Sequence, residues 1–303
     1  MGRSVKFYLW NRYAKADGTL TSSGELDSDL HPVAFTQNLA VADTWRSSGV
    51  AGDTYIERDL GETFLIGGIG IVARNLTRAA QVRVRVGNTS NFSTNLYDSG
   101  QVNFHLPIYT SAERTATTLY PENYLSEFFD SNGLPTAETI DILKLPVRTF
   151  ALPSEVTARY VRIDFFDSTN PDGYVEISHI FAGRILEPSP DILYGYRVSR
   201  THTARLPQSA SGQFWPASVY RRCRFTFTLA PQKESDMMGF WFLLQLLVGV
   251  SEPFVVSIED SSENMKFHTA MFGMLVTNPQ NTNIAFKRHT FTFEVEESIS
   301  EAA

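Results

Sequence analysis

Hydrophobic positions recur mostly at every second residue, the period of a half-buried strand rather than of a helix. Gln81-Val-Arg-Val-Arg-Val86 alternates strictly, so its valines belong on a core face and its arginines in solvent. Thr54–Leu60 alternates too and is expected to end at Gly61. Val5–Trp10 reads as an opening strand, and Ile66–Val72 as an apolar strand carrying Gly67, Gly68 and Gly70. Asp17-Gly18, Ser23-Gly24 and Tyr97–Gly100 are turn signals. The strand pattern resumes at Ala158–Phe165 and Tyr174–Phe181. Further strands are expected at 194–203, 218–229, 253–259, 266–276 and 283–296. One segment breaks the pattern. The polar run Pro231–Asp236 leads into the almost continuously apolar Met237–Val248, which predicts a helix over about 233–248.

Two interruptions divide the chain. Residues 101–150 carry Pro107, Pro121, Pro135 and Pro146 and a helix-like stretch near 122–129. They read as an insertion out of a sheet, of a length usually functional or at a subunit contact. Glu187-Pro-Ser-Pro-Asp191 is a stiff polar linker. The expected units are therefore 1–186 and 192–303. No internal repeat is evident.

Composition narrows the class. Hydrophobic residues make up 43%, which excludes wholesale disorder, and aromatics reach 13%, which favours strands. The formal charge of −7 argues against a nucleic-acid-binding protein held by a basic face. A single cysteine, Cys223, excludes an intramolecular disulfide and a Cys-cluster zinc site. Arg222 and Arg224 flank it, but it shares a strand face with Phe225 and Phe227, which favours a buried structural thiol. No secretory, myristoylation or membrane-spanning pattern is present, so the chain reads as made and folded in a reducing cytoplasm.

Few motifs carry chemistry. Gly68-Ile-Gly70-Ile-Val-Ala73 matches a dinucleotide fingerprint in letters, but a strand continues where the pyrophosphate needs a helix N-terminus. The sequons at Asn75, Asn88 and Asn91 read as chance. Asp27, Asp29 and Asp43 either hold a structural Ca²⁺ or cap turns, and turn-capping is favoured. No nucleophile elbow, zincin, P-loop or kinase motif occurs. No enzyme activity, metal or cofactor is expected.

Several short segments fall in a telling order. Trp45-Arg-Ser-Ser-Gly49 precedes a strand ending in Asp59-Leu60-Gly61. Ala158-Arg-Tyr-Val-Arg-Ile163 and Gly173-Tyr-Val-Glu-Ile177, closing at Ala182-Gly183, come last. Together they resemble the galactose-binding-like jelly roll of discoidin-type domains, over roughly residues 35–184. The resemblance implies a sandwich whose end loops carry sugar, lipid or protein ligands, but it fixes no ligand residue. Candidate ligand residues are Trp45, Asp53, Tyr55, Asn170, Asp172 and Tyr174. The alternative is that Trp45 and Tyr160 are core and the rest are loop polars.

The apolar helix completes the picture. Phe240, Leu243, Leu244 and Leu247 form one stripe, while Trp241, Phe242, Leu246 and Val248 cover the other sides. A helix apolar all round is fully buried or sits at an interface. The expected subunit interface is Phe240, Trp241, Phe242, Leu244 and Leu247. In strand–helix order, 192–303 resembles the ring-forming domains of tailed-phage tails, such as distal-tail and baseplate hub components. That resemblance implies a virion tail-tip structural protein. Its partners would be copies of itself in a ring and neighbouring tube, hub or fibre proteins. The other reading is a carbohydrate-binding receptor protein anchored to a virion or cell surface. The expected fold class is mainly β, with an N-terminal jelly roll and a C-terminal β sandwich or barrel flanked by one helix.

Overall fold

Strands dominate the computed structural model, which describes residues 5–15, 17–50, 54–107, 128–130, 133–136, 139, 146–205, 217–236, 239, 241–258, 266 and 269–298. In chain order they are β1 (Lys6–Leu9), β2 (Leu20–Ser22), β3 (Trp45–Arg46), β4 (Thr54–Ala73), β5 (Gln81–Gly87), β6 (Asn95–Asp98), β7 (Val102–Asn103) and β8 (Val147–Phe166). Then follow β9 (Glu176–Leu186), β10 (Arg197–Arg205), β11 (Ala217–Thr228), β12 (Gln232–Lys233), β13 (Phe254–Ser257), β14 (Ala270–Leu275), β15 (Gln280–Ala285) and β16 (Arg288–Glu297). Hydrogen bonds link them in the order β10-β11-β16-β14-β13-β1-β9-β4-β8-β5-β6. The chain is mainly β, as its alternation predicts. Among the described residues no helix is long and apolar enough to cross a membrane.

The N-terminal module is a two-layer jelly roll built on two long strands. β4 and β8 pair antiparallel along their lengths, with register slips between Asp59 and Phe64 and between Ile66 and Gly68. The first half of β4 lies between β2 and β8, and the end of β8 pairs with β5. The second half of β4 lies between β8 and β9. Ile56, Val84 and Ile163 from the first set share one core with Ile69, Phe150 and Ile180 from the second, so the sets face each other. Val82, Val84 and Val86 are fully buried, as the alternation requires. Gly61 does not end the strand. It sits at the first register slip with φ +80°, a left-handed conformation open to glycine, and kinks a 20-residue strand.

The C-terminal module closes around aromatic rings. Phe225, Phe227, Phe254, Phe291 and Phe293 pack with Trp241 and Leu244 of the helical segment. The helix itself spans Phe242–Leu247, with a separate turn at Glu234–Asp236. Trp241 is 2% exposed and Leu244 1%, so both belong to this core rather than to a subunit interface. Tilted packing of the Trp241 ring against Phe291 (5.4 Å) and Phe293 (5.5 Å) accounts for this. Phe242 does face solvent, at 57%. Phe240 and the side chain of Leu247 lie outside the described residues, as does most of the 101–150 insertion. Burial pushes the Cys223 thiol up to about 11, in line with a structural cysteine.

The linker region, with a cis peptide before Pro190, separates β9 from β10 but does not separate the packing. β1 lies between β9 and β13 and pairs with both. Val5, Phe7 and Leu9 point into the C-terminal core. On the opposite face Tyr8 packs with Val72, Phe181, Val255 and Phe272, joining the two modules. The Gly68–Ala73 segment that spells a dinucleotide fingerprint is a strand at this junction. A Cβ at Gly68 would stand 2.7 Å from Tyr8 and 2.4 Å from Ile185, so close packing accounts for this glycine. His179 stacks on Phe272 at the same junction, with ring centroids 4.8 Å apart. Its Nδ1 donates to the Asn38 carbonyl at 2.8 Å and its Nε2 accepts from Asn11 at 3.1 Å. Burial depresses its pKa to about 4, so it is neutral.

Candidate functional site

Three loops meet at one end of the jelly roll. They are the segment after β3, residues 74–77 after β4, and residues 167–175 between β8 and β9. Asn75 ties them together. Its side-chain amide donates to Asp172 (3.1 Å) and to the Tyr174 carbonyl (2.9 Å), and its Oδ1 accepts the Glu176 N–H (2.7 Å). Asp167 accepts from Thr77 N–H (2.9 Å) and from Asn170 Nδ2 (3.0 Å), while Asn170 also donates to the Asn75 carbonyl (2.9 Å). Gly173, at φ +75°, supplies the tight turn. β3 docks on β9 through Trp45↔Ile177 and Arg46↔Glu176, and the Ser47 hydroxyl accepts the Val175 N–H.

On this frame stands a small chemical platform. Tyr174 is partly exposed, with the Arg46 guanidinium 5.0 Å from its ring centroid. Glu176 holds Arg46 at 3.4 Å and accepts the Thr44 hydroxyl at 2.7 Å. Asp172 is exposed beside them. An aromatic ring, a cation and a carboxylate are thus fixed together on rigid backbone.

The outer face of the β4–β8–β5 layer holds a second polar cluster. The Arg162 guanidinium lies 3.8 Å over the Tyr55 ring and bonds Asp164 at 2.9 Å and Glu57 at 3.4 Å. Arg85 grips Asp164 with contacts of 2.8–3.1 Å. Desolvation raises the Glu57 carboxyl above its ordinary range, opposed by Arg162. Arg159 forks onto Asp59 at 2.7 and 2.8 Å and holds that carboxyl below the usual range. The Asp59-Leu-Gly and Ala158-Arg-Tyr segments are therefore paired neighbours, with Asp59 opposite Tyr160. In this cluster the charges satisfy one another.

The sequence candidates part company here. Asn170, Asp172 and Tyr174 share one loop, but Asn170 is buried and its amide is used up in holding the turn. Trp45 is fully buried against Phe165, with centroids 6.3 Å apart, so it offers no face to a ligand. Tyr55 lies under Arg162 in the ion-paired cluster. Asp53 lies outside the described residues. Sequence reasoning misses Arg46 and Asn75, although both fall inside segments it singles out, the Trp45–Gly49 run and a sequon. The Asp27 carboxylate caps a turn, accepting the Asp29 and Leu30 N–H groups at 2.9 and 3.1 Å, while Asp43 accepts from the Asn38 side-chain amide at 2.9 Å. Among the described residues no group of three metal-ligating side chains converges.

No family model matches the chain, and no curated protein does. Among solved structures it is similar to chitosan-binding module 1 of a chitosanase/glucanase from Paenibacillus sp. IK-5. Identity is 12%, covering 58% of this chain and 100% of that one, with a TM-score of 0.38. It is also similar to the family 32 carbohydrate-binding module of NanJ from Clostridium perfringens in complex with galactose. There identity is 11%, covering 60% of this chain and 99% of that one, with a TM-score of 0.35. A third is the lectin domain of lectinolysin complexed with Lewis B antigen, at 10% identity over 57% of this chain and 96% of that one, TM-score 0.34.

Proposed function

We propose that the chain is a binding protein without turnover, and that its jelly roll engages a glycan at the loop end around Tyr174. The observation that carries this reading is the platform itself: the Tyr174 ring, the Arg46 guanidinium at 5.0 Å and the exposed Asp172 carboxylate. A sugar ring presents an apolar C–H face and neighbouring hydroxyls. An aromatic ring takes the face, while a carboxylate and a guanidinium take the hydroxyls. The Asn75 and Asp167 bonds fix the loop beforehand, so little ordering entropy opposes binding. A glycan array with the purified chain, followed by titration calorimetry on hits, tests this. Tyr174→Ala and Asp172→Ala should each weaken binding at least tenfold while leaving thermal unfolding nearly unchanged. An array with no hits, or hits indifferent to both substitutions, overturns it.

A second reading, assembly with further copies as in a phage tail-tip ring, is favoured by the outer side of the helix. Phe242 and Leu246 are 57% and 66% exposed at a spacing of four, one apolar face in water, and Val250, past the helix end and the left-handed Gly249, is 47% exposed. Sedimentation velocity tests it: assemblies larger than one chain support it, and a monomer at every concentration refutes it.

A further inference from the structure

The exposed helix face has a counterpart on the same chain. β15 and β16 form a hairpin in which every residue from Gln280 to Arg288 is exposed, and β12 pairs along its outer edge through Lys233↔Arg288. Its turn, Phe286–Lys287, lacks the Gly or Asn that such turns favour, and Lys287 adopts φ +56°, a left-handed conformation that side chains disfavour. In place of good turn residues, the tip presents Phe286, 88% exposed, and Ile284, 51% exposed. Within the chain, the Glu234 N–H donates to the Lys287 carbonyl at 3.3 Å and holds this turn.

The tip does not reach its own helix. The Gln245 amide donates to the Pro279 carbonyl at 2.5 Å, which holds the helix at the base of the ribbon. Six residues of β15, at about 3.3 Å each, put the tip roughly 20 Å beyond that base.

We propose that the hairpin tip of one copy packs on the exposed Phe242–Leu246 face of the helix of a second copy. This rests on the assembly reading and names its contact. Taking ~200 Å² for an exposed Phe, the four apolar side chains Phe286, Ile284, Phe242 and Leu246 carry on the order of 500 Å². That forms the apolar centre of an interface of roughly 1,000 Å² or more, once the polar flanks of ribbon and helix are included. The tip is basic, with Lys287 and Arg288, while the chain it would dock on carries a net charge of −7. The two surfaces differ, so the contact is heterologous and propagates into a ring or a filament.

Complementation tests the proposal. Phe286→Asp and Phe242→Asp, with Leu246→Asp as a second helix variant, are compared with the unaltered chain by sedimentation velocity, and circular dichroism checks that each is folded. The unaltered chain should assemble and each variant should be monomeric. Mixing the tip variant with a helix variant should give a 1:1 dimer that grows no further, because each partner brings one intact surface. If the unaltered chain assembles and the variants still assemble, the tip-to-helix contact is wrong while the assembly reading stands. If the variants are monomeric but do not complement, the contact is isologous and the proposal falls. If the unaltered chain is monomeric at its highest soluble concentration, both fail. Pelleting of that monomer with anionic phospholipid vesicles through Phe286 would then assign the tip to a membrane surface instead.

Discussion

Phe7 belongs to the first strand in sequence and to the second module in space, and removing its ring tests that arrangement directly. The side chain is fully buried. Its ring centroid lies 5.3 Å from Phe293, 5.8 Å from Trp241, 5.9 Å from Phe227 and 6.3 Å from Phe254. Phe→Ala in a closed core costs about 3–5 kcal/mol, the lost transfer free energy plus the cavity left behind. Four rigid rings held by β11, β13, β16 and the helical segment collapse poorly into the space, which places Phe7→Ala in the upper half of that range. Against a total stability of about 5–15 kcal/mol this is a large fraction. Urea unfolding followed by tryptophan fluorescence, which includes the neighbouring Trp241, is the assay. The midpoint should fall sharply with the slope unchanged. The fragment 192–303 lacks β1 altogether and should show no cooperative transition. A loss below about 1 kcal/mol for Phe7→Ala, well under the range for buried aromatics, would refute the reasoning. So would a melt of the fragment as sharp as that of the whole chain.

Two further outcomes follow from the module junction. His179 is held neutral by burial with a folded pKa of about 4, against 6.5 in the unfolded chain, so the unfolded state binds more protons between those values. Its contribution is fully present above pH 6.5 and is lost as pH falls towards 4. The total is about 3 kcal/mol at 1.36 kcal/mol per unit, and burial of His105 adds in the same direction. Urea midpoints across pH 7 to 4 should show this decline, and His179→Gln should flatten it; an equal slope in the variant counts against the assignment. Gly68→Ala drives a methyl against Tyr8 and Ile185 and should cost about 1–3 kcal/mol, read as a fall of several degrees in Tm. An unchanged Tm would show that the junction has room to give.

Alternation by itself determines that this is a β protein and where most strands lie, because side chains on a pleated strand must point to opposite faces. β5 follows its sequence pattern residue by residue, valines in and arginines out. The turn at Phe286–Lys287 escapes notice because neither residue is a turn former, so residues 283–296 read as one strand where the structure makes a hairpin. Gly61 reads as a stop because glycine breaks strands, yet a left-handed kink lets β4 continue into the second layer. Trp241 reads as interface because a helix apolar on all sides needs cover, and local pattern does not count the strands available to cover it. β1 supplies part of that cover from the other end of the sequence. The site divides in the same way. Asp172 and Tyr174 are legible as polar and aromatic residues around a glycine turn. That Arg46 stands beside Tyr174, that Asn75 binds both loops, and that Trp45 is core all depend on segments far apart in sequence meeting at one end of a sandwich. Pairing between distant strands brings them there, and no local pattern encodes it.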